Sequence, residues 1–270
     1  MTAVDKGAPD NKGQTAGDLQ TVGSVVQTNA ITDVVAAGPR RRKKLPKPSL
    51  TWEKRLWADG HRYVAGVDEV GRGAWAGPLT VGVAVLAPPP CRTPSGLRDS
   101  KLLLEDVRER LFAPVGRWCT SWAVGHAGPE ECDDLGMTAC LRLATRRAFA
   151  CLPPEFLPDA VVLDGNFDYV TPKEAPSLFD EPAAALDGWA PRVQTVIKAD
   201  AKCSSVAAAS VLAKVTRDRL MRADAESYPP FEFDRNKGYP SPTHKRALRG
   251  YGLTAIHRRS WVFVDDLPWR

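Results

Sequence analysis

Val64-Ala65-Gly66-Val67-Asp68-Glu69-Val70-Gly71-Arg72-Gly73-Ala74-Trp75-Ala76-Gly77-Pro78-Leu79 is the stretch on which the fold turns. Val64, Ala65, Val67 and Val70 are small or β-branched and predict a short buried strand, yet Asp68 and Glu69 interrupt it near its end. Two carboxylates about 4 Å apart repel by roughly 1 kcal/mol in water and several-fold more at protein-like dielectric, so buried acids are paired or bound to metal. A divalent cation would remove that penalty. In an ideal strand the two side chains point to opposite faces, which predicts that the strand ends or bulges here, with Gly71 and Gly73 absorbing the distortion. Arg72 stands between glycines whose backbone can approach a ligand closely, and its guanidinium suits a phosphate. On this stretch alone, a plain hairpin with a surface salt bridge fits equally well.

Working outward, residues 80–87 are rich in β-branched side chains and predict a second strand, and residues 118–127 alternate as a third, which together suggest a meander. A helix is expected over 105–112 and a longer one over 130–152, stopped by Pro153, Pro154 and Pro158. Residues 160–163 form a short apolar run, read as a buried parallel strand ending at Asp164, and 192–199 resume β character before Asp200. Ser204 or Ser205 is expected to cap a helix over 206–226 whose small residues permit close packing on a sheet, and 244–249 form a last helix. Residues 49–57 read as a short segment packed on the surface, and 171–191 as an inserted surface loop. The order predicts an α/β domain with a mixed sheet, antiparallel at one edge and parallel at the other.

Residues 1–47 lack aromatics and end in a run from Arg40 to Lys47, which reads as a disordered basic tail ahead of a single domain over 48–270. The tail holds eight basic against four acidic residues, hence +4 of the formal +5, so the body's charge says little about substrate. Six cysteines without C-x-x-C spacing argue against zinc and against a disulfide framework and read as reduced core thiols. No apolar run is long enough to span a membrane and no signal-peptide layout opens the chain, from which a cytoplasmic address is expected.

Asp68 and Glu69, Asp164, and Asp200 thus fall at three expected strand ends, and in α/β sheets ligands gather at the carboxyl ends of strands. Oxygen-only donors suit Mg²⁺ or Mn²⁺ rather than zinc, and a pair of such ions serves phosphoryl transfer. His61, His126, His244 and His257 stand outside metal-ligand spacing and read as packing or hydrogen-bonding residues; Trp75 and Trp261 read as packing residues before stacking platforms.

Seven segments in order strengthen the metal reading: Gly66–Gly73, Asp99-Ser100-Lys101, Leu163-Asp164-Gly165-Asn166, Lys198-Ala199-Asp200, Ala207 through Asp218, Lys237-Gly238-Tyr239-Pro240, and His257 to Trp261. Together they resemble ribonuclease HII. The resemblance implies a ribonuclease H-like mixed sheet, an antiparallel meander plus parallel strands flanked by helices, with a C-terminal helical segment. It implies metal-dependent hydrolysis of the RNA strand of RNA–DNA hybrids and cleavage at single ribonucleotides in duplex DNA, leaving 3′-hydroxyl and 5′-phosphate ends, by a monomer. By motif position, Asp68, Glu69, Asp164 and Asp200 would be catalytic metal ligands for Mg²⁺ or Mn²⁺. Gly71, Arg72 and Gly73 would read the 2′-hydroxyl, which distinguishes RNA from DNA, Tyr239 would stack on the next deoxyribose, and Lys101 would contact a phosphate. Lys198 is a weaker candidate. Leu102 stands where the family often has a second lysine, and Asp180 and Asp187 in the long loop compete on paper with Asp200, which alone follows a β run and precedes the alanine-rich helix. The sister class, ribonuclease HIII, departs from Gly-Arg-Gly at this turn, and a non-catalytic nucleic-acid module is disfavoured because bare carboxylates repel phosphates.

Overall fold

A computed structural model of the chain describes residues 47–89, 92–171, 186 and 188–265. The expected basic tail lies outside these residues apart from Lys47, as do Cys91, Asp180, Asp187 and most of the expected surface loop.

Strand β1 (Val64–Val70) pairs antiparallel with β2 (Leu79–Leu86), which pairs antiparallel with β3 (Ser121–Ala127). On the other side β1 pairs parallel with β4 (Ala160–Asp164), and β4 with β5 (Arg192–Val196), giving the order β3-β2-β1-β4-β5. The meander and the parallel half are those the periodicities predict. Every residue of β2 is buried and β1 is buried up to Asp68, because helices cover both faces. Helix α3 (Pro129–Ala150) lies on β2 and β3, and α4 (Ser204–Ser227) on β1 and β2. The alanines of α4 let it sit close: a Cβ on Gly66 of β1 would collide with the α4 backbone at Ser205 and Val206.

Several details depart from the sequence reading. The strand carrying Asp68 and Glu69 does not bulge, since pairing continues regularly through Glu69 with Val81 and Val70 with Thr80; it ends at Val70, where Gly71 (φ 88°) takes the turn. Helix α2 (Glu105–Trp118) runs past 112 and through Pro114 because Leu111 and Val115 bury into the cluster formed with α4; β3 therefore begins at Ser121 rather than 118. Segment 49–57 packs on the domain surface as expected, and does so as a helix. Its helix α1 (Thr51–Ala58) buries Glu53 and Leu56 completely or nearly so. Glu53 also replaces the expected serine cap: its Oε1 accepts from the Ser205 backbone N–H at 2.8 Å and from Ser205 Oγ–H at 2.7 Å, satisfying donors at the start of α4. Burial nevertheless holds the Glu53 carboxyl above the usual carboxylate range, against the pull of those bonds.

The described part of the long loop packs inward, with Trp189 against Phe149 at 4.5 Å and its indole N–H donating to the Pro158 carbonyl at 2.8 Å. Of the five described cysteines, all are free thiols and Cys151 is exposed rather than in the core. A short helix α5 (Phe233–Asn236) and α6 (Pro242–Tyr251) build a satellite core from Phe231, Phe233, Leu248, Met221 and Ala76, which hangs the C-terminal segment beside the turn after β1.

Candidate active site

Asp68 is buried at the carboxyl end of β1, 3 % exposed, with its Oδ1 accepting from the Glu69 backbone N–H at 2.9 Å. Burial pushes its carboxyl up to about 8; the charges of Glu69 and Asp164 add to this, against Lys101 and a hydrogen bond from Ser210. Because the strand alternation is intact, Glu69 turns to the other side, where its Oε2 accepts from the Tyr169 phenol at 2.9 Å and its Oε1 lies 3.7 Å from Arg72 Nη1. Burial, followed by the charges of Glu69 and Asp68, holds the Tyr169 hydroxyl well above the usual phenol range, so it is a permanent donor.

Asp164 ends β4, one strand over, and its Oδ1 accepts from the Ala199 N–H at 2.6 Å. Burial raises its carboxyl, and the Asp200 and Glu69 charges contribute. Asp200 does not tip β5 directly. The strand stops at Val196, Lys198 adopts a left-handed conformation (φ 57°), and Asp200 follows in a 3-10 turn (Ala199–Ala201) that swings it back toward the rim. Its Oδ2 accepts from Lys101 Nζ at 3.2 Å. Burial alone would lower the Lys101 pKa, but Asp68, Asp99 and Asp200 together hold it above the usual lysine value. The ammonium stays charged.

All four expected carboxylates therefore gather at one rim of the sheet, where the charges of Glu69 and Asp164 help raise Asp68 and those of Asp200 and Glu69 help raise Asp164. Among the described residues no three His, Cys, Asp or Glu side chains form a ready-made metal cage; Lys101 supplies the cation in their midst. Two participants escaped the sequence reading. Asp99 is 9 % exposed, caps the Lys101 N–H at 2.9 Å and faces the Asp200 charge, its carboxyl raised chiefly by burial and further by Asp200. Its signal was the acid at the head of Asp99-Ser100-Lys101. Tyr169 left only a phenol downstream of Asp164, too far for any strand period to register.

Beside this rim lies the Gly-Arg-Gly turn. Gly71 has φ 88°, accessible to glycine at little cost, and its N–H donates to the Tyr239 hydroxyl at 3.1 Å. A Cβ on Gly73 would meet nothing within 4 Å, so that face of the turn is open. Two buried arginines clamp the turn from behind. Arg217 donates to the carbonyls of Pro78 (2.8 Å), Lys237 (2.8 Å) and Ala76 (3.0 Å); Arg258 donates to Gly77 (3.1 Å) and Arg72 (3.3 Å). Tyr239 lies with Arg217 and Lys214 over its ring at 5.5 and 5.8 Å. Sequence reasoning missed both clamps, since an arginine that serves carbonyls leaves no charge pattern along the chain.

The remaining candidates sit apart from the carboxylates. Lys198 is exposed and makes no ion pair among the described residues. His126 bonds Thr80 Oγ1 at 2.8 Å, His61 approaches Asp159 at 3.9 Å, and His244 and His257 meet each other. Trp75 packs edge-on against His244 at 5.9 Å and Trp261 under Arg258 at 4.9 Å, as packing residues do.

A mixed five-stranded sheet with acids gathered at the rim of its central strands defines a hydrolase of the ribonuclease H fold. The ribonuclease H2 of Pyrococcus horikoshii OT3 has this architecture, superposing with a TM-score of 0.57 at 30 % identity over 76 % of this chain and 96 % of that one. Residues 65–264 match the Ribonuclease HII family. Ribonuclease HII of Streptomyces coelicolor is 50 % identical over 225 residues, covering 83 % of this chain and 88 % of the relative; that of Paracoccus denitrificans is 42 % identical, covering 82 % and 94 %. The chain belongs to the ribonuclease HII family and is an endoribonuclease acting on the RNA of RNA–DNA hybrids.

Proposed function

We propose that the chain also cuts at single ribonucleotides embedded in duplex DNA, leaving 3′-hydroxyl and 5′-phosphate ends, and that it depends on two divalent cations, Mg²⁺ or Mn²⁺. Asp68, Glu69, Asp164 and Asp200 hold them. The donor set supports this, being all carboxylate oxygen, and so does Asp68, a buried acid pushed up to about 8 that a nearby cation would bring back to its ionised form. When bound, such ions activate a water and stabilise the leaving oxygen.

The protein's own groups do the rest. Tyr169 orients Glu69 through its 2.9 Å hydrogen bond, and the Ala199 N–H orients Asp164. Lys101 meets a substrate phosphate, for its side chain is 65 % exposed and its charge is guarded by three carboxylates. Gly71, Arg72 and Gly73 read the 2′-hydroxyl through the backbone, with Tyr239 stacked on the following deoxyribose. The observation that carries the reading is the adjacency of the carboxylate rim to a Gly-Arg-Gly turn that Tyr239 touches. The enzyme acts as a monomer in the cytoplasm, in excision of ribonucleotides from DNA, with residues 1–47 a basic tail outside the catalytic domain of 48–270.

Asp68→Asn and Asp164→Asn test the assignment. Both are expected to abolish cleavage while preserving the circular dichroism of the parent, because an amide weakens metal binding with little change in shape. Near-parental turnover in either variant would contradict it.

A further inference from the structure

His244 and His257 belong to no charged cluster, yet both are buried, and their Nε2 atoms lie 2.9 Å apart. Their protonation is fixed by what flanks them. The Thr254 backbone N–H can only donate, and it donates to His257 Nδ1 at 2.9 Å, so that nitrogen carries no proton. The neutral His257 ring then bears its proton on Nε2 and donates to His244 Nε2. His244 in turn bears its proton on Nδ1, which donates to the Tyr239 carbonyl at 2.9 Å, a group that can only accept. A single directional chain results: Thr254 N–H, His257, His244, Tyr239 C=O. Adding a proton to His244 would set two N–H groups against each other across 2.9 Å, and adding one to His257 Nδ1 would set it against the Thr254 N–H at 2.9 Å. The Thr254 hydroxyl, 2.8 Å from the same nitrogen, donates to it in the neutral state.

The surroundings keep both rings neutral. Phe231 lies 5.0 Å from His257, and Phe233 packs edge-on to His244 at 5.3 Å. Burial pushes His244 down from the usual histidine value; burial, His244 and Arg259 push His257 down to about 3. The far end of the chain is tied to the turn, as Gly77 N–H donates to the Ile256 carbonyl at 2.8 Å and Arg258 N–H to the Trp75 carbonyl at 2.9 Å. Tyr239 is thus held at both ends, by Gly71 at its hydroxyl and by the histidines at its carbonyl.

We propose that His244 and His257 form a neutral relay, locked in opposite tautomers, that positions Tyr239 for substrate recognition. Both are positioning residues. The recognition half rests on the reading of Tyr239 given above; the tautomer half does not.

Two experiments on the full chain test it. Long-range ¹H–¹⁵N spectra at neutral pH should show His244 as the Nδ1–H tautomer and His257 as the Nε2–H tautomer; two Nε2–H rings, or a protonated one, would overturn the relay. The second compares kcat/KM on a duplex with one embedded ribonucleotide with kcat/KM on a continuous hybrid. His244→Asn places an amide N–H where Nδ1 stood and should keep that ratio within about two-fold of the parent, whereas His244→Leu should lower it about five-fold or more, the lower bound for losing one stacked ring. Asn and Leu variants with equal ratios would overturn the positioning role, since general destabilisation moves both substrates together. Should His244→Leu not fold, a five-fold drop in the Asn variant would do the same. Tyr239→Ala is run alongside: an unmoved ratio there removes the recognition half, and the spectra still decide the relay.

Discussion

Asp68→Asn should make the metal-free protein more stable while making it inactive. The Asp68 carboxyl, pushed from 3.8 up to about 8 by burial and by Glu69 and Asp164, resists ionising in the folded state. A group whose folded pKa lies above its unfolded pKa contributes stability that is complete below the unfolded value and lost as pH rises through the folded one. Stability therefore falls from about pH 4 and has lost this contribution by about pH 8. At 1.36 kcal/mol per pH unit the interval amounts to about 5 kcal/mol at most, and asparagine, which has no charge to bury, escapes it. Even a gain of about 2 kcal/mol would raise the melting temperature by roughly 4–8 °C for a domain of this size. The assay is thermal unfolding in chelator at pH 5 and pH 8, repeated with excess Mg²⁺. The variant should melt above the parent at pH 8 and by roughly a third of that margin at pH 5, and only the parent should gain appreciably from Mg²⁺. A parent whose stability is flat between these pH values, or a variant less stable at pH 8, would refute the reasoning.

Tyr169→Phe removes the phenol that donates to Glu69 at 2.9 Å; with the carboxylate no longer oriented kcat should fall by roughly ten-fold or more, and since a hydrogen bond to a charged group is worth about 1.5–3 kcal/mol the melting temperature should drop by several degrees as well. Tyr239→Ala should reduce cleavage efficiency by about five- to 150-fold, more on a single embedded ribonucleotide than on a continuous hybrid, as steady-state kinetics on both substrates would reveal. Deleting residues 1–47 should leave specific cleavage intact and weaken loose duplex binding at low salt, measurable by anisotropy titration, because that segment carries +4 of the formal charge.

The sheet was legible because its strands announce themselves. Residues 64–70 and 79–86 are β-branched runs, and the parallel strand at 160–164 is short, apolar and tipped by an acid. What could not be read were interactions between distant residues without a local pattern. Glu53 caps α4 from 152 positions away, which no capping rule at Ser204 or Ser205 anticipates. Asp200 reaches the rim only because Lys198 takes a left-handed turn, a conformation that nothing in Lys-Ala-Asp demands. The expected bulge at Asp68 rested on treating both acids as needing one face; at the end of a strand, opposite faces share a rim, and the regular pairing survives. Arg217 and Arg258 look in sequence like surface charges, yet each is fully buried among carbonyls of the turn.

The most direct test of the account is cleavage of an end-labelled DNA duplex carrying one ribonucleotide, with Mg²⁺ or Mn²⁺ and in chelator. A single cut at the ribonucleotide is expected, only with the ion present, with 3′-hydroxyl and 5′-phosphate termini. Cutting in chelator, or an intact duplex alongside efficient cleavage of a continuous hybrid, would contradict it.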